Sequence, residues 1–553
     1  MAVISQFRAL GRNVGICALA LVISGCTGQP SDSDSVTRSV VEMPRPAATQ
    51  YPIRDWLTAA GATDTELAEF YAAREYHPLW TGSAAARRLA AVVRHVLAQA
   101  YKQGLPEAAY TLSVRSERTA GQQAAAADLQ LTRSLLAYIH DLRLGRLVPS
   151  KVYRDLELPP RHFEPAAALT KALAAGDLNG FLKHLSPREA QYQALVRALA
   201  RYRRIAANGG WPALGEDPSH AQLAVRLALE DPALARLRHP SAAALAEALR
   251  RFQARHGLKP DGVFGPQTVQ ALNVPVEKRI GEIEANLERW RWLPRHLPDR
   301  YILVNVPAQR AALLENGRIK LMSKVVIGRD RAGDTTPILL TNADAIVANP
   351  VWTIPDDIAI AGLLPHLRRD PNYLRSRHMV LVGAPPNMPI DWAEFRGKQL
   401  PYQIIQLPGP GNALGNIMFD MPNRFDVYLH GTSDAALFDL ANRARSHGCV
   451  RVQKIFEFAY LALEGTANNQ AQTLRAALAS GKTQRLTLSH ALPLYLLYWT
   501  AQVEAGGAVA FWPDRYDRDR PLLAMLAPGR KLASVPNEPS SPGPGRREAA
   551  MRS

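Results

Sequence analysis

A change in residue periodicity near Arg300 constrains the fold of this chain more than any other feature. Before it, apolar residues recur at three- and four-residue spacing, as in 86–100 and 131–144, which predicts packed amphipathic helices. After it, short runs rich in β-branched residues, such as 301–306 and 345–355, predict strands. At 553 residues, with roughly 150 per domain, about three or four structural units are expected. We therefore predict a multidomain α+β protein, helical first and mostly β afterwards.

The first 26 residues have the pattern of an export signal. Arg8 and Arg12 precede an apolar run, Val14–Ile23, that is too short to span a bilayer. The run ends in Ile23-Ser24-Gly25-Cys26, which resembles the lipobox of bacterial lipoproteins, where processing leaves the Cys as an acylated N-terminus. Cys26 would then be the lipid anchor; the alternative is a plain signal peptide with an incidental Cys. Because no Asp follows Cys26, we expect an exported, periplasm-facing lipoprotein of the outer membrane.

The charge balance favours anionic partners. Lys and Arg number 66 against 49 Asp and Glu, a formal net charge of +17. Nucleic acid, an anionic membrane surface and an acidic polymer such as peptidoglycan would all suit such a field, so charge alone does not choose among them. Because the export signal predicts a protein outside the cytoplasm, nucleic acid is not an expected partner. The cell wall and the membrane are.

Cysteine usage isolates one thiol. Cys17 lies in the predicted signal and Cys26 would be acylated, which leaves Cys449 alone in the mature chain. No intramolecular disulfide is then possible, and a lone thiol in an exported protein calls for a functional explanation. The alternative is a buried core cysteine.

Composition distinguishes the folded part of the chain from two segments that are expected to be disordered. Residues 27–50 are rich in Ser, Asp, Pro and Thr, so we expect a disordered tether. Residues 51–215 are predicted to be an α-helical scaffold domain without a chemical constellation. The Pro, Ser and Arg content of 529–553 predicts a disordered tail.

A helix, a turn and a second helix are predicted within 216–275. Gly257 suits the left-handed end of the first helix, Asp261-Gly262 a tight turn, and Pro266 the first turn of the next helix. A small core is expected from Phe252, Leu258, Val263, Val269 and Leu272. The run resembles the three-helix peptidoglycan-binding domain of cell-wall hydrolases. Such a module either contacts glycan or serves only as packing.

A mostly β domain is predicted over 298–505. Between 356 and 405 the strand pattern gives way to a Pro-, Arg- and Asp-rich stretch with short helical pieces. We interpret this stretch as an insertion over the β body, and an active-site lid is one hypothesis for it.

Two segments of this domain carry residues suited to acyl transfer. Residues 425–430 alternate in period two, which predicts a strand with Asp426, Tyr428 and His430 on one face. Further along, Ser446-His447-Gly448-Cys449-Val450-Arg451-Val452 would, if extended, point Cys449 and Arg451 the same way, and a helix is predicted from about Lys454 to Leu463.

Acyl transfer from an amide needs a thiolate, a base and donors for the oxyanion. His430 is the candidate base for Cys449, with the Gly431 carbonyl as the candidate partner of its second ring nitrogen. The N–H groups of Gly448 and Cys449 are candidate oxyanion donors. Arg451 and protonated His430 would lower the pKa of the thiol.

The run from His430-Gly431-Thr432 to Ser446-His447-Gly448-Cys449-Val450-Arg451-Val452 resembles the signature of the YkuD-type L,D-transpeptidase catalytic domain. The resemblance implies a β-sandwich in which Cys449 is the nucleophile, His430 the base and Gly431 the source of the orienting carbonyl. It also assigns substrate and transition-state contacts to Tyr428, His447 and Arg451, with Gly448 and Ser446 in the same oxyanion- and substrate-binding segment. The order of lipobox, helical scaffold, binding module and catalytic domain is similar to the long multidomain subgroup.

The resemblance implies a ping-pong reaction on peptidoglycan stem peptides, which serve as donor and acceptor. Cys449 would attack the bond after the third stem residue, release D-Ala and pass the acyl group to a neighbouring amine, forming a 3→3 cross-link. Water as acceptor would give an L,D-carboxypeptidase or wall-amide hydrolase instead. Carbapenems would acylate the same thiol, and no cofactor is expected.

Two other functions remain open from the residues alone. A noncatalytic lipoprotein could tether membrane to wall through the binding module. His430, His447 and Cys449 are also three possible zinc ligands, but closed zinc sites usually take four ligands and more thiolates, so no metal is predicted.

Overall fold

A computed structural model of the chain describes residues 53, 54, 57, 65–110, 120–370, 372–384, 390–393, 395, 400, 402–464 and 470–527. They all belong to the second of the two units into which the chain divides, 46–553, the first being 1–45. The predicted signal with Cys26, the tether 27–50 and the tail 529–553 lie outside the described residues. Among those it does describe, no helix is long and apolar enough to cross a bilayer.

Helices dominate the described chain up to Arg291, as the periodicity predicts. In chain order they are α1 (Thr65–Ala72), α2 (Ala84–Ala98), α3 (Ala120–Leu144), α4 (Pro149–Val152), α5 (Pro165–Ala174), α6 (Leu178–Lys183), α7 (Ala190–Ala207), α8 (His220–Ala228), α9 (Ala242–Arg255), α10 (Pro266–Leu272) and α11 (Val276–Arg291). In α2 the Ser83 hydroxyl accepts a hydrogen bond from the Ala86 N–H, and Val93 and Leu97 are buried. The helical prediction for this half is confirmed.

Helices α8, α9 and α10 surround a small core that includes Phe252 and Leu272. Gly257 (φ +67) and Gly262 (φ +76) take the left-handed conformations expected of them, and Pro266 opens α10. Val263 was expected in this core and is 63% exposed instead, so that prediction is wrong. The Gln253 side-chain amide donates to the Val263 carbonyl and to Asp261, and these polar bonds hold the turn with the Val263 side chain outward.

A sheet that closes on itself forms the mostly β half. Its strands are β2 (Arg300–Asn305), β3 (Arg310–Glu315), β4 (Arg318–Gly328), β5 (Ile338–Ala348), β9 (Ile417–Asp420), β10 (Leu429–His430), β11 (Ala444–Ser446), β12 (Val450–Val452) and β13 (Gln484–Leu497). Their order is β5-β13-β2-β3-β4-β12-β10-β9, and β9 pairs again with β5. One apolar core fills the interior and includes buried residues from all of these strands except β11, whose Ala444 packs against it. Helices α15 (Ile455–Ala462) and α16 (Gln470–Ser480) follow β12, and the helix predicted from Lys454 is confirmed.

The strand predicted over 425–430 is wrong except at its end. Only Leu429 and His430 are in a strand, and Asp426 has φ +51. The Asn423 side chain accepts hydrogen bonds from the N–H groups of Phe425 and Val427, a local turn that competes with sheet pairing. His430 is consequently buried rather than on an exposed polar face.

The 356–405 stretch has a small core of its own, which includes Leu363 and Ile404. Its elements are α12 (Asp356–Ile358), a π-helical turn (Ala359–Leu363), α13 (Leu364–Leu367), α14 (Tyr373–Ser376), β7 (Met379–Val382) and β8 (Gln403–Gln406), and β6 (Trp352–Thr353) directly precedes them. The three strands pair in the order β6-β8-β7.

The β domain extends beyond the predicted bounds 298–505 on both sides. The short strand β1 (Leu156–Glu157), in the region predicted to be purely helical, pairs in parallel with β5 at Ile338 and Leu339. After β13 come a hairpin, β14 (Ala501–Val503) and β15 (Val509–Phe511), and a last helix, α17 (Asp519–Leu526). Phe511 and Leu522 are buried in the same core as the large sheet.

Candidate active site

Cys449 lies in the short connection between β11 and β12. Gly448, just before it, has φ +120, a conformation that favours glycine. The Cys449 side chain is partly exposed, and Val450 after it is fully buried. The thiol is therefore held at the surface by a strand whose next residue is anchored in the core.

The sheet brings His430 beside this connection. β10 and β12 run in parallel, with Leu429 paired to Val450 and His430 paired to Arg451. The Val450 N–H donates to the Tyr428 carbonyl at 2.9 Å. Cys449, His430 and Arg451, three residues predicted for the site, thus meet on two neighbouring strands.

His430 is a neutral base in this environment. Only 3% of the residue is exposed, and burial, reinforced by the positive charge of Arg451, lowers the pKa of the imidazole to about 3. The carbonyls of Gly431 and Leu414 lie close enough to oppose this pKa shift. Neither makes a well-formed bond to Nδ1, which is buried without a hydrogen-bond partner among the described residues. The Gly431 carbonyl thus lies near the ring without forming the predicted hydrogen bond to Nδ1, and the nearby carbonyl of Leu414 was not predicted.

The turn that carries Leu414 is built to approach the His430 strand. The buried Asn412 side chain donates to the Pro350 carbonyl at 3.0 Å and accepts from the Leu414 N–H at 2.8 Å. Gly415 has φ +67, and a Cβ there would lie 2.6 Å from the Thr432 nitrogen. Only glycine fits so close to a neighbouring backbone. The contact of this glycine-rich turn with Gly431-Thr432 joins segments distant in sequence and leaves no local pattern.

The thiol is protonated at neutral pH. Burial raises the pKa of the Cys449 thiol above its ordinary value, and the nearby N–H of Tyr428 and the charge of Arg451 lower that pKa by less. Sγ lies 3.8 Å from the Asp426 carbonyl oxygen, to which the thiol donates. Arg451 acts in the predicted direction, whereas His430, at a pKa of about 3, carries no charge in this state. The resting pair is therefore a neutral thiol and a neutral imidazole, and the effect of protonated His430 on the thiol pKa stays a prediction.

One predicted oxyanion donor is already engaged. The Gly448 N–H donates to the Ser446 hydroxyl at 3.2 Å, and that hydroxyl donates to the Cys449 carbonyl at 2.6 Å. Ser446 is only 2% exposed, so its hydroxyl braces the loop instead of facing a substrate. The predictions for the Gly448 N–H and Ser446 are corrected in this respect.

Two backbone donors remain beside the thiol. The N–H groups of Cys449 and Tyr428 both favour negative charge on Sγ, and neither donates to another backbone or side-chain group among the described residues. The Tyr428 N–H was missed in the sequence because its place beside Cys449 depends on the turn at Asp426.

The residues predicted to contact substrate lie near the partly exposed thiol of Cys449. His447 is exposed, Arg451 and Tyr428 are partly exposed, and the Arg451 Nε is buried without a partner among the described residues. Partial burial and the charge of Arg329 lower the pKa of His447, whereas Asp334 and Asp357 oppose that shift. Asp357 belongs to α12, so the 356–405 stretch approaches the site. Over the described residues no three His, Cys, Asp or Glu side chains are grouped as metal ligands, His430, His447 and Cys449 included.

Comparisons with known proteins identify three domains. Residues 65–199 match the family "Scaffold domain", residues 240–272 the family "Putative peptidoglycan binding domain", and residues 299–471 the family "L,D-transpeptidase catalytic domain", named YkuD. The chain is 32% identical over 265 residues to the Haemophilus influenzae protein "Putative L,D-transpeptidase", an alignment that spans 46% of this chain and 53% of that relative. The match therefore covers about half the length of the relative.

A solved structure, that of the L,D-transpeptidase from Xylanimonas cellulosilytica, aligns with 55% of this chain and 93% of that one. Its sequence identity is 14% and its TM-score is 0.17. The family matches place the partly exposed thiol and the buried imidazole in one domain. Residues 299–471 therefore match the YkuD L,D-transpeptidase catalytic domain, and the segments before them match a scaffold domain and a peptidoglycan-binding domain.

Proposed function

We propose that this protein is a peptidoglycan L,D-transpeptidase that forms 3→3 cross-links through a thioester on Cys449. One observation carries the proposal: a buried, neutral imidazole lies on the strand paired with β12, beside a thiol that is partly exposed. A protonated thiol next to a neutral base is the starting state for nucleophilic attack with general-base assistance.

In the first half-reaction His430 takes the thiol proton as Sγ attacks the carbonyl carbon after the third residue of a tetrapeptide stem. The N–H groups of Cys449 and Tyr428 donate to the oxyanion that develops. As the intermediate collapses, His430 returns the proton to the leaving nitrogen, D-Ala departs, and a thioester remains on Cys449.

In the second half-reaction a side-chain amine of a neighbouring stem attacks the thioester. His430 takes a proton from that amine and gives it to the departing sulfur, which restores the thiol and leaves a new amide between third residues. Water in place of the amine would release a tripeptide, and the protein would then be an L,D-carboxypeptidase or wall-amide hydrolase.

Positively charged and polar side chains beside the thiol suit this substrate. Stem peptides carry carboxylates, and Arg451 and His447 are cationic or polar groups at the partly exposed edge of the site. Arg451 is partly exposed and forms no ion pair among the described residues, so a substrate carboxylate would be a suitable partner for its guanidinium. The approach of Asp357 to His447 supports a role for the 356–405 stretch as a lid.

The remaining proposals concern where the protein acts. The export signal and Cys26 support a lipid-anchored protein facing the periplasm, and the peptidoglycan-binding domain supports a second contact with the wall. Carbapenem acylation of Cys449 is proposed because the β-lactam carbonyl meets the same thiol.

The decisive experiment is intact-mass analysis of the full-length chain in detergent with a carbapenem and, separately, with a disaccharide-tetrapeptide. We expect a covalent adduct and a cross-linked dimer, both absent from Cys449→Ala. An adduct with tripeptide as the sole product would replace cross-linking by hydrolysis. Neither adduct nor turnover would favour the noncatalytic tether and refute the proposal.

A further inference from the structure

The peptide bond between Gly448 and Cys449 is held from behind by Thr336. The Thr336 hydroxyl donates to the Gly448 carbonyl at 2.7 Å and accepts from the Gly328 N–H at 2.9 Å. Thr336 is fully buried and lies just before β5. Because a peptide unit is planar, fixing the Gly448 carbonyl also fixes the direction of the Cys449 N–H, which lies opposite to it.

Thr336 is itself held by two residues from distant parts of the chain. Arg518 donates from Nη2 to the Thr336 carbonyl at 3.2 Å and forms an ion pair with Asp155. Asp155 also accepts a hydrogen bond of 2.9 Å from the Thr335 hydroxyl. The Asp155 carboxylate thus links Arg518 to the segment that holds the Gly448 carbonyl.

Tyr516 supports the second partner of the Thr336 hydroxyl. Its hydroxyl donates to the Gly328 carbonyl at 2.6 Å, and the Thr336 N–H points to the same hydroxyl at 3.4 Å. Gly328 has no room for a side chain, since a Cβ there would lie 2.0 Å from the Asp334 carbonyl oxygen. The backbone around Thr336 is therefore confined on both sides.

Asp155, Tyr516 and Arg518 all lie outside the residues that match the catalytic domain, 299–471. Asp155 precedes β1, and its carbonyl accepts from the Ile338 N–H at 3.0 Å, at the point where β1 joins β5. Tyr516 and Arg518 follow β15 and precede α17. The nucleophile's backbone is thus connected to the helical half and to the C-terminal segment.

From this geometry we infer that Asp155, Tyr516 and Arg518 are positioning residues for the oxyanion donor at Cys449. They touch no substrate; they act through Thr335 and Thr336 on the Gly448–Cys449 peptide. The inference rests on the proposed function and deepens it, because it states which part of the chain outside the catalytic domain the acylation step needs. Misalignment of the donor slows attack on the carbonyl without weakening substrate binding, so kcat falls and KM does not.

The experiment uses full-length Asp155→Asn and Thr336→Val, with Thr336→Ser as the conservative variant that keeps the hydroxyl. Loss of a whole oxyanion donor costs about 10²–10³ in kcat, so a displaced donor is expected to cost about tenfold or more, with KM within about twofold. Thr336→Ser should retain most of the rate. The carbonyl stretch of the carbapenem acyl-enzyme should rise in frequency in Asp155→Asn and Thr336→Val, which a merely structural role would not produce.

Glu157→Gln is the matched control. Glu157 lies on β1 two residues after Asp155 and faces Arg424 at 3.8 Å, an exposed pair without contact to the nucleophile's connection. Its removal should leave kcat, KM and the carbonyl stretch unchanged. If Asp155→Asn does not fold, Tyr516→Phe removes only the hydroxyl bonds around Gly328 and carries the same expectation.

The outcomes separate the two proposals. A wild-type protein that forms no adduct and turns over no substrate would overturn the proposed function. An active wild type with Asp155→Asn, Thr336→Val and Tyr516→Phe all within twofold of its kcat would overturn the positioning role alone. A fall in kcat shared by Glu157→Gln would also overturn it, since the effect would then belong to β1 as a whole.

Discussion

Two regions of the molecule each bury a histidine beside arginine, and only one of them looks catalytic. His430 in the β half is 3% exposed and His256 in the peptidoglycan-binding domain is 4% exposed. Burial lowers the pKa of both imidazoles to about 3, with a further contribution from Arg451 in one case and Arg279 in the other. By burial and pKa alone the two sites are indistinguishable.

Their surroundings differ in access. His256 stacks on Phe252 with ring centroids 3.8 Å apart, its Nδ1 bonds to the Phe252 carbonyl, and Arg255 beside it is itself buried. His430 instead adjoins the partly exposed Cys449 and two N–H groups without partners among the described residues. A perturbed pKa therefore marks a catalytic candidate only when a reactive group beside it can reach a substrate.

Replacing each histidine by glutamine should separate the two regions most strongly. His430→Gln removes the base and is expected to lower the rate of carbapenem acylation by about 10²–10⁴-fold, the usual contribution of general-base catalysis. His256→Gln should leave that rate within about twofold and lower the melting temperature, because it disturbs a packed core. Stopped-flow acylation and thermal unfolding of both variants measure the contrast.

If folded His256→Gln slowed acylation as much as His430→Gln, the expected difference between the two histidines would be refuted. The binding domain would then be coupled to the thiol. Circular dichroism of both variants provides the folding control.

The next largest effect is expected on stability in the binding domain. The Arg226 guanidinium is fully buried, 2.7 Å from Glu230, bonded to the Leu272 carbonyl and 3.9 Å from the centroid of the Trp211 ring. Arg226→Met would remove the ion-pair partner of the buried Glu230 carboxylate and leave it the hydrogen bond from the Tyr202 hydroxyl. Loss of one partner of a buried pair typically costs about 3–5 kcal/mol of unfolding free energy. Denaturant unfolding measures that loss.

A double variant tests the cause of that loss. In Arg226→Met with Glu230→Leu no charge remains unpaired, so most of the unfolding free energy should return. If the double variant is no more stable than Arg226→Met, the arginine stabilises the domain through Trp211 and the Leu272 carbonyl instead of through the ion pair.

Arg451→Met in the catalytic region should show the reverse pattern, with little change in stability and a slower acylation.

Local patterns in the sequence were enough to predict the two halves of the fold and the main residues of the candidate site. The change of periodicity near Arg300 predicted the helical and mostly β halves, and the motif at 446–452 together with His430 indicated the family. Both signals are short-range: a helix face, a strand, or a run of neighbouring residues with one chemistry. The extent of 425–430 as a strand was wrong because Asn423 bonds its own turn, a competition that alternation does not reveal.

Contacts between distant residues were beyond the same reasoning. Asp155 meets Arg518 across 363 positions, and β1 joins a sheet whose other strands begin at Arg300. The pKa of His430 likewise depends on how deeply the closed sheet buries the imidazole, which no local pattern reveals. Long-range pairing and burial are set by tertiary structure, and neither leaves a local pattern.

A smaller difference is expected from two glycines with the same backbone angle. Gly415 and Gly257 both have φ +67, but a Cβ at Gly415 would lie 2.6 Å from a backbone nitrogen, whereas one at Gly257 would lie 3.0 Å from the Pro513 side chain. A left-handed alanine costs about 1–3 kcal/mol in either place. Gly415→Ala should also slow acylation, because the backbone that must shift is that of Gly431-Thr432 beside His430. Gly257→Ala should lose stability alone, as unfolding and acylation rates of the pair will show.

An equal loss of acylation rate in both glycine variants would contradict this. It would mean that strain anywhere in the fold reaches the thiol, and that the contact of Gly415 with the His430 strand has no special role.

The smallest expected effect is an unchanged rate across the pH range in which an ordinary histidine titrates. A histidine accepts a proton from the thiol only when neutral, and with a pKa of about 3 His430 stays neutral until the pH falls close to that value. Acylation by a carbapenem should therefore be constant from about pH 5 to about pH 8 and decline only below that range.

His447 is a neighbouring group that could imitate a titration of His430, since it is exposed and its pKa responds to the charges of Arg329, Asp334, Asp357 and Arg451. The profile is therefore measured in His447→Gln as well, with circular dichroism at each pH. A midpoint near the ordinary histidine pKa that survives in His447→Gln would show that His430 is charged at neutral pH. The catalytic region would then differ from the His256 region in the charge of its imidazole, and access to the thiol would no longer be what distinguishes them.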